Sequence, residues 1–310
     1  MNSMPDTLLP NEPRIADALQ PTLTERFLLP ALPALQALLE ELRARVDPVL
    51  AARQAVLGHR YPRGQSREIT QALHGMLGSL DAGTLSGRAA DGFAALAAFH
   101  ANGGSLRQVW GALHGTHFHH AFLFGTLYVD AAVDATGGSR KVEIMPFRQA
   151  RLTPVRDHRH YALLAARAWQ ATVYPNHVLP ALAPYAPLVM LLPGGAVRIE
   201  TDAPYMGELA LAGGFVSSAD VLGGPAMPPD LFDLVAGTLR DAGIATAADA
   251  AQGRQEALKL CARYRDQRLR PGDLRHVRSL DLLAKANGLL ATLQVSPEAE
   301  RRLTITQQAA

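Results

Sequence analysis

The fold of this chain is decided at residues 120–131, HAFLFGTLYVDA, where its apolar pattern changes. Phe122 begins an alternation of spacing two that is typical of a β-strand, whereas the preceding apolar residues recur every three or four positions. Residues 136–139, TGGS, supply a turn, and residues 142–145, VEIM, supply a partner strand. We therefore predict a β-hairpin here. A continuous helix through Asp134 is the competing interpretation, because short apolar runs suit both structures.

Helical patterns precede the hairpin over residues 22–102. Leucines within Leu35–Val46 form one apolar stripe at helical spacing. Ser105–Gln108 has the form of a capping box, in which two side chains satisfy backbone N–H groups at a helix start. We therefore predict a helix from Ser105 that carries Trp110 and His117 on one face.

Helical patterns return after the hairpin. Thr153-Pro154 is predicted to start a helix that reaches about Val173, because proline suits the first turn. Residues 188–200 contain two apolar runs around a central PGG, which predicts a second hairpin. From Pro229 onward the pattern is helical. Helix starts are predicted there at Asp230, Thr246, Asp273 and Ser296.

The predicted architecture is mainly α with a small antiparallel β insert, an α+β class in which helical N- and C-terminal parts flank one or two hairpins. Residues 1–20 are rich in proline and are predicted to be an irregular leader. Residues 21–310 are predicted to form a single compact unit, with halves 21–225 and 226–310 as the alternative. Such a leader suits a segment for secretion or for interaction, and the sequence leaves both open.

The composition of the 310 residues excludes several classes of protein. Cys261 is the one cysteine, so no disulfide framework and no multi-cysteine metal site can form. No apolar stretch approaches the ~20 residues that span a bilayer. The first 30 residues lack the pattern of an export signal. A cytoplasmic location is therefore expected.

Four of the eleven histidines lie within residues 114–120, HGTHFHH, and neutral imidazole is a common ligand of transition metals. On a helix, His117 would share a face with His114 and with His120. On a strand, His117 and His119 would point to the same side. Either arrangement supplies two ligands, so a third must come from elsewhere. The candidates for it are Asp157, His158 and His160 in one stretch, and Asp130 or Asp134 near the hairpin.

The predicted function is a metal- or heme-dependent enzyme, an oxygenase or a hydrolase, that acts on a small, fairly apolar molecule in a histidine-lined pocket. Two histidines and a carboxylate suit Fe(II) and oxygen chemistry, three ligands and a water suit Zn, and heme needs a single axial histidine. The predicted catalytic residues are His117, His120, Asp157 and His160. The predicted metal ligands are His114, His117, His119, His120 and His160. In the competing interpretation these imidazoles line a metal-free pocket or pack against aromatic rings.

The alternative function is a non-catalytic helical interaction, regulatory or effector protein that uses a basic C-terminal face. Residues 251–280 hold eight basic and three acidic side chains, and Arg263–Arg278 could contact an acidic partner. Asp266 and Asp273 interrupt this run, and only Tyr264 could stack on a base, which argues against nucleic acid. A small-molecule ligand is the expected partner, and a homo-oligomer is compatible with the sequence.

Overall fold

The structure, a computed structural model, describes residues 8–53, 60–200, 203–269 and 273–295. Helices and two antiparallel sheets confirm the predicted α+β class. The chain groups into two compact units, one comprising Asn11–Pro154 and the other Val155–Ala310 together with Met1–Pro10. No helix in the described ranges combines the length and the apolarity needed to cross a bilayer.

The unit Asn11–Pro154 places helices against one face of a five-stranded sheet. Its helices are α1 (Gln20–Leu23), α2 (Leu32–Ala51), α3 (Ser66–Ser79) and α4 (Gly87–Ala101). Its strands are β1 (Leu106–Leu113), β2 (His117–Phe124), β3 (Leu127–Asp130), β4 (Glu143–Pro146) and β5 (Leu152–Thr153). The paired strands are antiparallel and lie in the order β4-β3-β2-β1-β5.

Alternation along the strands divides this sheet into two apolar faces. Phe122, Phe124 and Val129 pack against the helices, including the predicted stripe Leu35–Val46 of α2. The opposite face carries a smaller apolar cluster around Leu123. The period of two in the sequence thus corresponds to burial on both sides of the sheet.

The predicted first hairpin is confirmed, and a glycine divides its first strand in two. β3 pairs with β4, with Val129 opposite Ile144, so a continuous helix through Asp134 is wrong. Gly125 adopts φ 60°, a left-handed conformation that glycine takes readily, and it starts the turn between β2 and β3. An added Cβ at this position would lie 2.2 Å from Thr24 Oγ1.

The helix predicted from Ser105 is wrong, because Leu106–Leu113 forms β1. This strand pairs with β2 over its whole length, from Leu106 opposite Phe124 to Leu113 opposite His117. The Ser105 N–H donates to Gln20 Oε1 at 2.8 Å instead of taking part in a helix cap. Pairing with β2 therefore outweighs the local capping signal, which is worth about 1 kcal/mol.

Helices α2 and α4 pack closely at Gly92, where an added Cβ would lie 2.3 Å from the Ala34 carbonyl oxygen of α2. We expect Gly92→Ala to lower the free energy of unfolding by about 1–3 kcal/mol, because overpacking outweighs the better helix propensity of alanine. Urea unfolding measures this change. Gly75→Ala in α3 is the control, because its added Cβ meets nothing within 4 Å; it should raise the free energy of unfolding by up to ~1 kcal/mol. Equal effects of the two substitutions would contradict close packing at Gly92.

The unit containing Val155–Ala310 combines helices with a three-stranded antiparallel sheet in the order β6-β7-β8. Its strands are β6 (Thr172–Pro175), β7 (Leu188–Leu191) and β8 (Val197–Ile199). Its helices are α5 (His158–Ala168), α6 (Ala203–Ala212), α7 (Val216–Leu222), α8 (Pro229–Asp241), α9 (Ala250–Asp266) and α10 (Leu274–Leu290). The sheet packs on α8 and α10 through a large apolar cluster.

The helix predicted from Thr153 to about Val173 is present but shorter. Asp157 caps α5 by accepting the His160 N–H at 2.7 Å, so the helix begins at His158. It ends at Ala168, because the following residues turn and then pair with β7 as β6. The N-cap carboxylate, not the proline, therefore determines where this helix starts.

The other predicted elements of this unit are mostly confirmed. Strands β7 and β8 form the second hairpin. Helix α8 begins one residue before Asp230, and Asp273 caps α10 as predicted. Helix α9 begins at Ala250 rather than at Thr246. The start predicted at Ser296 lies outside the described residues.

Candidate functional site

The histidine-rich segment is extended, so its side chains alternate between the two faces of the sheet. It covers the turn after β1 and the first half of β2. His117 and His119 therefore point to one side and His120 to the other, as predicted for a strand. The helical pairings of His117 with His114 and with His120 are wrong. His114 lies in the turn at φ 53° and is exposed.

His119 is fully buried and pairs with Asp130, one of the carboxylates predicted to assist it. The His119 Nε2 and the Asp130 Oδ2 are 2.7 Å apart. Tyr128 donates its hydroxyl to the same oxygen at 3.1 Å, and Asp130 Oδ1 accepts the Ala132 N–H at 2.8 Å. Burial and the nearby carboxylate raise the pKa of the Tyr128 hydroxyl, which keeps it a donor. This buried network ties β2 to β3.

His117 and His120, two predicted catalytic residues, are held by neighbours within the same unit. The His117 side chain is exposed, and its Nδ1 lies 2.8 Å from Thr116 Oγ1. The His120 ring stacks on Trp110, with 6.1 Å between ring centroids and 19° between planes. Ser66 Oγ accepts the backbone N–H of His120 at 3.2 Å, which anchors α3 to β2.

Asp157 and His160 lie at the start of α5, in the other compact unit. The Asp157 carboxylate accepts the His160 N–H as a helix cap. The Arg156 N–H donates to His160 Nδ1 at 3.2 Å. Burial, together with the charge of Arg156, lowers the pKa of His160. Capping and backbone hydrogen bonding thus account for the positions of both side chains.

The predicted metal ligands do not converge in the part of the chain that the structure describes. No group of three or more histidine, cysteine, aspartate or glutamate side chains there could hold a metal ion. Asp130 is already paired with His119, and Asp134 is paired with Arg43 at 2.9 Å. A metal centre therefore stays a prediction with no site among these residues.

A cavity of about 460 Å³ lies between α3, α4 and the sheet. Its floor is apolar, because Phe122 and Phe124 of β2 and Leu96 of α4 are buried. His74 of α3 and His100 of α4 line the same cavity and are exposed, so they stand at its mouth. The lining residues are His74, Leu77, Gly78, Phe93, Leu96, Ala97, His100, Leu106, Phe122 and Phe124.

The ring of His100 is oriented by the backbone. Its Nδ1 lies 3.2 Å from the Gly104 carbonyl oxygen. Because a carbonyl oxygen only accepts, Nδ1 carries the hydrogen in this contact, and the Nε2 of a neutral ring is left as an acceptor. A histidine held in this way can accept a hydrogen bond from a ligand or bind a metal.

Neither His74 nor His100 belongs to the histidine-rich segment or to the other site residues predicted from the sequence. Helical spacing is the pattern that indicates them: Phe93, Leu96 and His100 recur along α4, and His74 stands three residues before Leu77 on α3. This spacing predicts one face on each helix. It does not predict that the two faces meet over β2.

The predicted basic face keeps several of its arginines in contact with the protein itself. Arg265 donates to the Gly214 carbonyl oxygen at 2.9 Å. Arg263 and Arg275 lie over the Tyr264 ring, at 5.5 and 5.6 Å from its centroid. Contact of this face with an acidic partner stays a prediction.

Comparisons with protein-family models, curated proteins and solved structures find no match for this chain. A function must therefore be inferred from the residues of the chain itself.

Proposed function

We propose that this protein binds a small, largely apolar molecule in the cavity between α3, α4 and the sheet, with His74 and His100 contacting a polar group of that molecule. The observation that carries the proposal is the contrast between a buried aromatic floor and two exposed imidazoles at the mouth. Ligand sites typically combine mostly apolar walls with a few polar groups, in cavities of about 300–1,000 Å³.

The lining indicates the chemistry of the ligand. The rings of Phe122 and Phe124 lie 5.4 Å apart between centroids, and Phe93 and Leu96 add apolar surface. Such walls contribute about 25 cal/mol for each Å² of apolar surface removed from water. The described lining contains no Asp, Glu, Lys or Arg. We therefore expect an uncharged body with a hydroxyl or similar donor directed at His100.

Of the predicted cofactors, heme requires the fewest protein ligands, a single histidine, and His100 offers one in this lining. The Gly104 carbonyl oxygen holds His100 Nδ1, and metal-ligating histidines usually have their second ring nitrogen held in this way. His100 would then hold the heme iron through a ring nitrogen, and the apolar floor would contact the porphyrin. A heme enzyme is therefore the second candidate function, and it is tested at the same site.

Titration of the full chain with the neutral fluorophore N-phenyl-1-naphthylamine tests the proposal. We expect saturable binding to the wild type. Gly78→Phe should weaken it at least about tenfold, because this residue of α3 lines the cavity. Gly75→Phe, in the same helix but outside the lining, is the matched control and should bind normally. An added Cβ meets nothing within 4 Å at either glycine, so both variants should fold.

A second pair of variants and a second probe complete the test. Ala97→Trp adds bulk to the lining from α4, and Ala94→Trp, exposed on the same helix, is its control. Hemin binding with a Soret band that His100→Ala abolishes and His117→Ala retains would support the heme candidate. A folded wild type that does not bind the fluorophore, or blocking variants that bind it as well as their controls do, would overturn the proposed function.

A further inference from the structure

Three side chains from separate segments of the unit Val155–Ala310 lie next to one another. They are a serine, a histidine and a glutamate, with the histidine between the other two. Ser217 of α7 places its Oγ 3.0 Å from Nδ1 of His158, the first residue of α5. Nε2 of the same ring lies 3.8 Å from Oε1 of Glu200, which directly follows β8. His158 and Glu200 are completely buried, whereas Ser217 is only half-buried.

The hydrogen bonds indicate which atom carries each proton. The backbone N–H of His158 donates to Ser217 Oγ at 2.9 Å, and in the tautomer that the proposal below requires, the hydroxyl hydrogen of Ser217 is directed at Nδ1. The ring then carries its own hydrogen on Nε2, on the side of Glu200. Burial lowers the pKa of His158 to about 3. The imidazole is therefore neutral near pH 7.

We infer that Ser217 is a nucleophile, with His158 as its general base and Glu200 as a positioning residue, in a site that cleaves carboxylic esters. The roles match those of a catalytic triad, in which an accessible hydroxyl is activated by a histidine that a carboxylate orients. In the usual triad Nε2 faces the serine and Nδ1 faces the carboxylate. Here Nδ1 faces Ser217 and Nε2 faces Glu200. Either nitrogen of imidazole can accept the proton. This site shares no residue with the cavity, so it does not depend on the proposed function.

The chemical step balances with water as the second reactant. Ser217 Oγ attacks the ester carbonyl carbon while its proton passes to His158 Nδ1, and Glu200 Oε1 lies 3.8 Å from the other ring nitrogen. The bond to the leaving oxygen then breaks, and that oxygen takes the proton from His158 and departs as an alcohol. A water molecule next gives a proton to His158 and attacks the acyl-serine. The carboxylic acid leaves, and the proton returns to Ser217 Oγ.

Contacts on both sides hold Ser217 in place. Phe215 is buried and adopts φ 60°, a conformation that a bulky residue keeps only where packing enforces it. Ser218 donates its hydroxyl to a backbone carbonyl oxygen at 2.7 Å. Arg159 and Asp220 join α5 to α7 at 2.9 Å. Ser217 and His158 are thus carried on connected elements, which a preorganised site requires.

Covalent labelling of the full chain with a fluorophosphonate tests this inference, because such a probe reacts with activated serines. We expect one adduct, located on Ser217 by peptide mass spectrometry. Ser217→Ala should abolish it and lower the hydrolysis of p-nitrophenyl acetate at least about 100-fold. Ser79→Ala, an exposed serine of α3, is the control and should change neither.

A structural role for the three residues predicts a different outcome. If Ser217 only held the N–H of His158, the folded wild type would carry no adduct on Ser217, and that result would overturn the inference. Glu200→Gln should slow labelling, and Glu200→Asp should restore part of the rate because it returns a carboxylate. If a variant of His158 does not fold, the wild-type adduct and its loss in Ser217→Ala still decide the question.

Discussion

Arg43→Met is expected to lower the free energy of unfolding by about 3–5 kcal/mol, the cost of removing one partner from a buried ionic network. The exposed fraction of the Arg43 side chain is 0%. Its guanidinium bonds Asp47 at 2.8 Å and Asp134 at 2.9 and 3.1 Å, and it also donates to the Ala131 carbonyl oxygen. Methionine retains much of the side-chain volume, so the loss reports mainly the groups left unpaired.

The size of this effect follows from what the network connects. Arg43 and Asp47 lie one turn apart on α2, and Asp134 lies in the segment between β3 and β4. Tyr61 and Lys141 also donate to Asp47. Burial alone would raise the pKa of Asp47, but these hydrogen bonds together lower it. The carboxylate is therefore charged when the protein is folded and depends on its cationic partners.

Arg45→Met is the matched control for Arg43→Met. Arg45 stands two residues further along α2, is partly exposed, and pairs with Glu41 one turn away. An exposed pair of this kind contributes about 0–1 kcal/mol. Urea unfolding of both variants measures the difference. A loss below about 1 kcal/mol for Arg43→Met, or equal losses in the two variants, would contradict a stabilising buried network.

The second large effect is a loss of stability at acid pH in the unit containing Val155–Ala310. Burial lowers the pKa of His158 to about 3, whereas an unfolded histidine titrates near ~6.5. Below that pH the unfolded chain takes up a proton that the folded chain excludes. The free energy of unfolding should therefore fall by about 1.4 kcal/mol per pH unit between pH ~6.5 and ~3, with no loss above this window. Burial also lowers the pKa of His177 and of His276, which steepens the fall.

Hydrogen exchange measured by mass spectrometry between pH 7 and pH 5 follows this unit separately, through peptides from residues 155–295. His158→Gln removes the titrating group and should flatten the slope by about 1.4 kcal/mol per pH unit. His117→Gln, at an exposed histidine of β2, should leave the slope unchanged. A slope that His158→Gln does not alter would mean that the folded protein admits the proton at His158.

Elements that depend on near neighbours were predictable from the sequence. The stripe Leu35–Val46 lies in α2, Asp273 caps α10, and residues 188–200 contain the second hairpin. Caps, apolar spacing and turns act between residues a few positions apart, so a short window of sequence contains the whole signal.

Strand β1 was not predictable in the same way. Ser105–Gln108 has the spacing of a capping box, and Leu106 and Trp110 have helical spacing as well. What decides the conformation is the eight-residue antiparallel pairing with β2. That pairing satisfies backbone groups through a partner strand, so it does not depend on the local cap.

The candidate sites show the same difference between features set by near neighbours and features set by distant segments. The strand interpretation, one of two that the sequence left open for the histidine segment, correctly places His117 and His119 on one side, and Asp130 was among the expected partners of that segment. The cavity was not predicted, because its two histidines come from α3 and α4 and its floor comes from β2. Helix faces can be derived from spacing, but their opposing partners cannot.

By itself, the sequence determined the α+β class, the apolar stripe of α2, the capping of α10 and the second hairpin. Only the tertiary structure decided that His74 and His100 share one hollow and that Ser217 meets His158 across 59 positions of chain. The physical reason is the sequence distance over which each interaction acts. A cap or a strand pattern is fixed by residues a few positions apart. A site requires side chains from distant segments, and the distance between those side chains depends on how the whole core packs.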